Sequence, residues 1–312
     1  MDNEQIIAYK SFAEVARRVK AAPARRTVAL VCAADEHALE ALFQVEAEGL
    51  LSPLLVGRAA EIRAAAGRLG RTVPDERILD AETPDAAARA GVALVRAGRA
   101  QVLMKGRMET GELLRAVLHK EAGLSLGGVM SHLSVHEIPA YHKLLITTDG
   151  GMLPYPTMEQ KKHIIDNAVR VMRALGNDRP KVGILAAVEK VNPRMPETVE
   201  AAALRAMNRT GEIRHCIVEG PISLDLALVR ARAETKGYRS PCAGDADILV
   251  VPNIHAGNIL GKSLVEMAGA RMAGLVMGAV CPIVVTSRGS SAEEKYNALV
   301  LACAVADGAP AD

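Results

Sequence analysis

Residues 248–270, ILVVPNIHAGNILGKSLVEMAGA, decide the fold class, because an apolar strand pattern runs through a polar turn into helical periodicity. Residues 275–302, LVMGAVCPIVVTSRGSSAEEKYNALVLA, repeat this order. A helix N-terminus presents unpaired N–H groups and a partial positive charge, so anions bind there. In the second stretch, hydroxyl groups and an arginine at the strand end suit a phosphate group. The sequence therefore predicts an α/β protein with anion sites at the ends of its strands.

The same alternation of strand and helix continues along the rest of the chain. Strand patterns occur at 27–32, 53–57, 77–80, 101–106, 181–188, 216–220, 247–253 and 274–280, and helical patterns at 196–208, 223–235, from 258 onward and at 291–307. Such alternation predicts parallel sheets with crossover helices. Two strand patterns at 128–138 and 143–150 follow each other closely, which predicts a local antiparallel pair.

The length of 312 residues exceeds the usual size of a single domain, so we expect two. The alternation restarts after the proline-containing segment 152–158, and the closing helix is predicted to return to the first domain. We therefore expect a discontinuous first domain, 1–146 plus 284–312, and a second domain, 147–283. This arrangement would put the turn at Ser287–Gly289 at the cleft between the domains, where ligand sites are common.

Composition excludes several classes of protein. Lys plus Arg (38) nearly balance Asp plus Glu (36), and the chain has two Phe, five Tyr and no Trp, so we expect no nucleic-acid partner. The five cysteines are scattered, and no Cys/His cluster predicts a metal site. No apolar run reaches membrane-spanning length, and the N-terminus is acidic and amphipathic. These features predict a soluble cytoplasmic protein with free thiols and no membrane partner.

The segment AGNILGKS (256–263) nearly matches the phosphate loop of nucleotide hydrolases, with Ala256 where the first glycine belongs. That glycine serves a tight turn, and no later apolar strand ends in the aspartate that would hold Mg²⁺. A P-loop-like nucleotide-binding protein is therefore only an alternative. Asn258 and Lys262 would either serve a phosphate group or cap and solvate a helix.

Four further segments near the ends of predicted strands carry polar residues. Ser287 and Arg288 favour an anion site over a solvated surface turn, whereas Ser291 and Glu294 have the spacing of a capping box, which makes Glu294 a helix cap on spacing alone. Lys105 and Arg107 follow the strand pattern at 101–106. Residues 127–134 offer Ser131, His132 and Ser134, and a lone histidine is more often packed or at the surface than catalytic. Asp149 is predicted to organise the turn at 147–151.

Several ordered motifs together resemble the phosphate acetyl/butyryltransferases, over about residues 15–307. They are MKGRMETGELLRAVL, LLITTDGG, VGILAAVEKVNPRMPETVEAA, AGDADILVVPNIHAGNILGKSL and TSRGSSAEEK. The resemblance implies two α/β domains with an isocitrate/isopropylmalate-dehydrogenase-like architecture, an active site in the interdomain cleft, and a homodimer or higher oligomer. It also implies a reversible reaction, acyl-CoA plus phosphate giving acyl phosphate plus CoA, without a metal or a covalent enzyme intermediate. The wording of EKVNPRMPET and SAEEK is closer to the butyryltransferase branch.

The resemblance also implies roles for individual residues. Ser287 and Arg288 match the Ser-Arg pair that would bind the phosphoryl oxygens and stabilise the oxyanion of the tetrahedral intermediate. Glu294 stands where the family has its catalytic aspartate, and a carboxylate there would help to form the CoA thiolate. Ser131 matches a serine thought to hold the phosphate, and Asn258 with the predicted turn at 257–262, including Gly257 and Lys262, would complete the pocket.

Two alternatives remain from the sequence. The longer Glu294 side chain makes a catalytically silent CoA- or phosphate-binding protein conceivable, although the intact Ser287–Gly289 turn argues against it. A dehydrogenase of the same architecture would need an acidic metal cluster and a cofactor loop, and neither pattern is present in the sequence. The sequence does not identify the residues that bind CoA.

Overall fold

The computed structural model describes residues 7–286 and 289–308 and divides into two compact units. The first, here called the N-terminal unit, joins Phe12–Gly128 to Ala273–Asp307. The second, called the central unit, consists mainly of Val129–Met272. Among the described helices, none has both the length and the apolar character needed to cross a membrane.

The first segment of the N-terminal unit alternates strands and helices as predicted. It contains α1 (Phe12–Ala21), β1 (Arg26–Val31), α2 (Glu36–Ala47), β2 (Leu51–Gly57), α3 (Ala59–Arg68), β3 (Ile78–Asp80), α4 (Pro84–Arg96), β4 (Val102–Lys105) and α5 (Thr110–Val117). The strands are parallel, in the order β3-β2-β1-β4. The core is aliphatic, as the scarcity of aromatic residues predicts, with fully buried Leu30, Leu39 and Leu103 among its largest side chains.

Polar side chains fix where several of these helices begin. The Asp35 carboxylate accepts a hydrogen bond from the backbone N–H of Ala38 at 3.1 Å, and the Thr83 hydroxyl accepts one from Ala86 at 3.2 Å. Each bond satisfies a backbone donor that the first helical turn leaves unpaired. The helices therefore begin directly after the strand ends, which keeps the connecting turns short.

The central unit contains one antiparallel and several parallel strands. Its elements are β5 (Ser131–Glu137), β6 (Leu145–Thr148), α6 (Met158–Ala174), β7 (Lys181–Leu185), α7 (Pro196–Thr210), β8 (Ile217–Ile222), α8 (Leu224–Leu228), α9 (Arg230–Thr235), β9 (Ile248–Val250) and α10 (Ile254–Ala268). The strand order is β5-β6-β9-β7-β8. The predicted antiparallel pair is confirmed as β5 with β6, and the other neighbours are parallel.

The chain then contributes three more elements, β10 (Arg271–Met277), β11 (Ile283–Val284) and α11 (Ala292–Asp307). β11 pairs in parallel with β4 on one side and antiparallel with β10 on the other. α11 is buried over most of its length and packs against α1 and α2 of the N-terminal unit. The last helix of the chain thus completes the unit that the first helix begins.

The division into units differs from the predicted boundaries, which separated 1–146 plus 284–312 from 147–283. The units divide instead at Gly128/Val129 and at Met272/Ala273. The difference arises because β5 is hydrogen-bonded to β6, which in turn pairs with β9. These ladders place both strands in the central unit, although they precede the proline-containing segment that marks the break in the sequence.

Two helix predictions need correction. The helix predicted at 223–235 is broken into α8 and α9 at Val229, whose φ of −124° and ψ of 103° are extended. The helix predicted from 258 begins at Ile254, with Asn253 as its N-cap, so the predicted turn at 257–262 is helical. The Asn253 side chain accepts a hydrogen bond from Ala256 N–H at 3.1 Å, which starts the helix earlier than the glycine-containing sequence suggests.

Candidate active site

The loop after β6 is organised by a buried carboxylate, as the sequence predicts for Asp149. Asp149 Oδ1 accepts hydrogen bonds from the backbone N–H groups of Gly151 (2.8 Å) and Met152 (2.9 Å). Its Oδ2 accepts one from His132 N–H at 3.2 Å. Three backbone donors compensate a carboxylate that is only 1% exposed. The side chain therefore holds the loop at 149–152 against the start of β5.

The first turn of α10 lies directly on this loop. The Asn258 side-chain amide donates to the carbonyl oxygen of Gly150 at 3.3 Å, and Gly257 is buried against Gly150. Lys262 follows Asn258 by four residues, so both side chains lie on one face of the helix, and both are exposed. The Asn258 amide lies in the second turn of α10 and the Lys262 ammonium group one turn further along, so this face of the helix carries donors and a positive charge that suit an anion.

Ser131 lies at the start of β5 and is fully buried. Its hydroxyl oxygen accepts a hydrogen bond from the side-chain amide of Asn167 at 2.9 Å, and that amide also donates to the Val129 carbonyl oxygen at 2.9 Å. Asn167 belongs to α6, so this contact joins the helix to the strand. A hydroxyl that accepts one hydrogen bond still has its own proton to donate.

Two histidines on β5 are held in their neutral form. Burial lowers the pKa of His136 to about 4, the neighbouring His132 adds to the effect, and His136 Nε2 lies 3.0 Å from the Thr147 hydroxyl. Burial also lowers the pKa of His132, while the charge of Asp149 opposes the shift. Both are packed imidazoles; for His132, packing is one of the two non-catalytic positions, packed or at the surface, that the sequence favours over catalysis.

In the N-terminal unit, Ser287 and Arg288, predicted to be catalytic, lie outside the described residues. Glu294, predicted to be the base or a cap, is described at the start of α11. The Ser291 hydroxyl accepts a hydrogen bond from Glu294 N–H at 3.1 Å, which is half of the predicted capping box. The Glu294 carboxylate accepts a hydrogen bond from the Ser290 hydroxyl at 2.8 Å. Ser291 thus caps the helix, while the Glu294 carboxylate contacts the Ser290 side chain just before the helix.

A groove of about 750 Å³ lies beside the first turn of α11, at the carboxyl ends of β1, β4 and β11. We call it the strand-end groove; its lining includes Ala34, Pro84, Lys105, Arg107, Thr286 and Lys295. Lys105 is tied down by hydrogen bonds from its ammonium group to the carbonyl oxygens of Gly106 (3.2 Å) and Met108 (3.0 Å). Lys295 is a residue that sequence reasoning missed, because a lysine in an acidic first turn gives no sign of being buried.

The cysteine thiols and the side chains that can bind metal ions bear on two kinds of catalysis, by a thiolate nucleophile and by a metal ion. Burial raises the pKa of Cys32 to about 11 and that of Cys281 to about 12, so these thiols are protonated at neutral pH. All five cysteines are free, and the other three have pKa values raised by burial in the same way. Within 7–286 and 289–308, no group of three or more His, Cys, Asp or Glu side chains is arranged to hold a metal ion.

Comparison with known proteins identifies the family. A family model described as "Phosphate acetyl/butaryl transferase" matches residues 80–303. The chain is 40% identical to the phosphate butyryltransferase of Clostridium acetobutylicum, over 95% of this chain and 98% of that protein. It is 41% identical to the phosphate acetyltransferase of Thermotoga maritima, over 90% of this chain and 95% of that protein.

Comparison with solved structures supports the same family. The crystal structure of a branched-chain phosphotransacylase from Enterococcus faecalis matches with a TM-score of 0.79 and 32% identity, covering 90% of this chain and 99% of that one. The chain therefore belongs to the phosphate acetyl/butyryl transferase family. Its fold is the isocitrate/isopropylmalate-dehydrogenase-like fold that the sequence resemblance implies. As a member of this family, the protein is an acyltransferase.

Proposed function

We propose that this protein transfers a short acyl group reversibly between CoA and inorganic phosphate. The observation that carries the proposal is similarity over nearly the whole chain to both a phosphate butyryltransferase and a phosphate acetyltransferase. The substrates are acyl-CoA and phosphate in one direction and acyl phosphate and CoA in the other. We expect butyryl or acetyl as the acyl group, and no nucleic-acid or membrane partner.

The proposed reaction is a direct transfer in a ternary complex. The CoA thiol gives its proton to the Glu294 carboxylate, and the thiolate sulfur attacks the carbonyl carbon of the acyl phosphate. The C–S bond forms, the bond from that carbon to the phosphate oxygen breaks, and phosphate leaves with the electron pair. No enzyme nucleophile takes part, which agrees with the raised pKa values of the cysteine thiols.

We assign Ser287 and Arg288 to the phosphoryl oxygens and to the oxyanion of the tetrahedral intermediate, where donors act most strongly. Both residues lie outside the described part of the chain, so this role follows from their match to the family motif. We assign Glu294 as the base. Its carboxylate accepts a hydrogen bond from Ser290, and the capping of α11 is provided by Ser291 instead.

We assign Asn258, Gly257, Lys262 and Ser131 to phosphate binding. The exposed side chains of Asn258 and Lys262, one turn apart on the same face of α10, support this role. For Ser131, Ser131→Ala separates two roles. A raised KM for phosphate with a small change in stability would support binding, whereas a loss of about 1 kcal/mol with an unchanged KM would mean that the hydroxyl only anchors Asn167.

The reaction is tested by measuring the consumption of CoA thiol with acetyl phosphate and then with butyryl phosphate, in the native protein and in Arg288→Ala. We expect turnover in the native protein, with the ratio of the two rates identifying the preferred acyl group. Arg288→Ala should lose at least about 10²-fold in kcat, the usual cost of removing an oxyanion donor, and should keep the native melting temperature. Absence of turnover with either substrate would favour a silent CoA- or phosphate-binding protein.

We also propose a homodimer or higher homo-oligomer in the cytoplasm. Ile259 and Met267 of α10 are 67% and 85% exposed, and a second copy of the chain that packed on α10 would bury both apolar side chains. The free cysteines agree with a reducing compartment. Light scattering on the native protein and on Met267→Lys would test the assembly, since a charge in the contact should shift the mass toward the monomer.

A further inference from the structure

The central unit has a pocket of its own at the ends of its strands. This pocket of about 420 Å³, here called the β7/β9 pocket, opens at the carboxyl ends of β7 and β9. None of its described lining residues also lines the strand-end groove. The lining includes Leu185, Ala187, Leu224, Val251, Ala256 and Leu260.

The pocket lies at a switch point in the strand order of this unit. From β7 the chain continues through α7 to β8 on one side, and it then returns to place β9 on the other side of β7. The connections that leave β7 and β9 therefore diverge, and a crevice opens between the two strand ends. In open α/β sheets, ligands bind outside the carboxyl ends of the strands at such a point.

The walls of the pocket are apolar and held in place. Leu185 and Val251 belong to a buried core cluster, and Ala256 packs against that cluster from α10. The loop after β7 is fixed as well, because the Ala186 N–H group donates to the Ile222 carbonyl oxygen at 3.0 Å. A pocket that is already formed binds an apolar group without the cost of ordering its walls.

The size and charge of the pocket select the kind of group that it can hold. An apolar cavity of about 150 Å³ holds a six-carbon ring such as benzene, so a volume of about 420 Å³ has room for a hydrocarbon chain. Among the described lining residues, Glu197 alone is charged. Its carboxylate would repel a phosphate group, so the pocket suits the uncharged end of a ligand that carries its negative charge elsewhere.

The pocket adjoins the residues that we assign to phosphate binding. Gly257 follows Ala256 directly, and a Cβ atom on Gly257 would lie 2.9 Å from Val251 Cγ2 and 2.7 Å from the Cα atom of Gly150. Gly257 is therefore packed between a wall of the pocket and the loop at 149–152. A ligand with its phosphate group at the start of α10 can thus extend a chain past Ala256 into the pocket.

We propose that the β7/β9 pocket binds the hydrocarbon tail of the acyl group, with Ala187 and Leu224 deciding how long a tail can enter. This inference rests on the proposed acyl transfer and names the specificity subsite of that reaction. Ala187 is exposed and Leu224 is 38% exposed, so these side chains control the opening of the pocket and not the core beneath it. Transfer of each methylene group from water into an apolar site favours binding.

The test is the dependence of kcat/KM on chain length, measured with acetyl, butyryl and hexanoyl phosphate. Each methylene group that enters the pocket should raise kcat/KM about fourfold, the fold-change that corresponds to about 0.8 kcal/mol. Hexanoyl phosphate should therefore be favoured over butyryl phosphate by about fifteenfold. In Ala187→Leu this preference should disappear, because the larger side chain fills the opening, while acetyl phosphate should react as in the native protein.

Two further variants sharpen the comparison. Leu224→Ala should widen the opening and shift the preferred acyl group toward longer chains such as octanoyl. The matched control is Ala206→Leu, since Ala206 is an exposed alanine of α7 that does not line the pocket. This control should keep the native ratio of hexanoyl to butyryl phosphate. Equal melting temperatures for the variants would exclude unfolding as the cause of a change.

The native ratio of hexanoyl to butyryl phosphate in Ala187→Leu, or a native protein that prefers acetyl phosphate, would overturn the acyl subsite while leaving the proposed reaction intact. If Ala187→Leu keeps the native ratio and light scattering shows a smaller mass, a second copy of the chain covers the pocket instead. If the native protein shows no turnover, calorimetric titration with hexanoyl-CoA and acetyl-CoA still tests the pocket. Tighter binding of hexanoyl-CoA that is lost in Ala187→Leu would support the subsite, and equal binding of the two would refute it.

Discussion

Gly257 and Gly150 lie backbone against backbone. A Cβ atom on Gly150 would lie 2.8 Å from the carbonyl carbon of Gly257, and a Cβ atom on Gly257 would lie 2.7 Å from the Cα atom of Gly150. Real Cβ atoms do not approach backbone this closely, so only glycine fits at either position. The contact fixes the start of α10 on the loop that Asp149 organises. The position of Asn258 therefore depends on two residues that have no side chain.

Gly257→Ala should destabilise the protein by about 1–3 kcal/mol, because the added methyl group meets backbone that has no room to yield. Urea unfolding measures the loss, and the KM for phosphate should rise as α10 is displaced. The control is Gly67→Ala in α3, where nothing lies within 4 Å of the new methyl group. That variant should gain about 0.5–1 kcal/mol from better helix propensity. Equal effects at the two glycines would contradict the close contact.

Variants of Glu294 and Ser291 should show which residue serves catalysis and which caps α11. Ser291→Ala removes the hydroxyl that accepts from Glu294 N–H, so stability should fall by about 1 kcal/mol while turnover persists. Glu294→Gln keeps that backbone bond and removes the proposed base, so kcat should fall by about 10²-fold with little change in melting temperature. Normal turnover in Glu294→Gln would show that another group takes the thiol proton.

Asp245 should make the stability of the central unit sensitive to acid. Burial alone would raise its pKa, but hydrogen bonds from Lys181, Lys143 and His142 outweigh burial and hold the pKa well below its usual range. A carboxyl group with a depressed pKa stabilises the fold fully above its unfolded pKa of about 3.9, and this stabilisation is lost as the pH falls further. In urea unfolding between about pH 5 and pH 2, Asp245→Asn should show a flatter profile than the native protein. Parallel profiles would contradict this role.

His136 should make the stability of the central unit depend on pH as well, over a range that begins higher than that of Asp245. Its pKa is lowered to about 4 by burial, so the folded protein keeps the imidazole neutral while the unfolded chain protonates it near pH 6.5. Stability should therefore fall by up to about 3 kcal/mol as the pH drops from about 6.5 to 4. His136→Gln, which cannot titrate, should lose much of this dependence. An NMR titration midpoint near the unperturbed value would refute the prediction.

Periodicity and turn chemistry predicted most of the fold. The strands β1 to β4 and the antiparallel pair β5 and β6 agree with the sequence patterns, because apolar runs bounded by polar residues report burial directly. The start of α10 was placed too late, since Gly257 and Asn258 have low helix propensity and are typical of turns. The glycine is needed for contact with Gly150, which is distant in sequence. The break at Val229 has no glycine or proline to signal it.

Only part of the candidate site could be predicted from the sequence, for a similar reason. Motifs point to polar residues near the ends of strands and the starts of helices, and Asn258, Lys262 and Glu294 were predicted in this way. Whether a lysine such as Lys295 is buried depends instead on what surrounds it. The burial of Lys295 arises from strands that are far apart in sequence. No local pattern contains that information.

The position of β11 has a consequence for how this protein is made. β11 lies between β4 and β10, so one edge of β4 finds its hydrogen-bonding partner only when residue 284 has left the ribosome. An unpaired strand edge is a template for association with other chains. Multidomain chains usually fold their N-terminal domain first during synthesis. Here the N-terminal unit cannot complete its fold until α11 has been synthesised. Newly made chains should therefore be most prone to aggregate, and most dependent on chaperones, until translation is nearly complete.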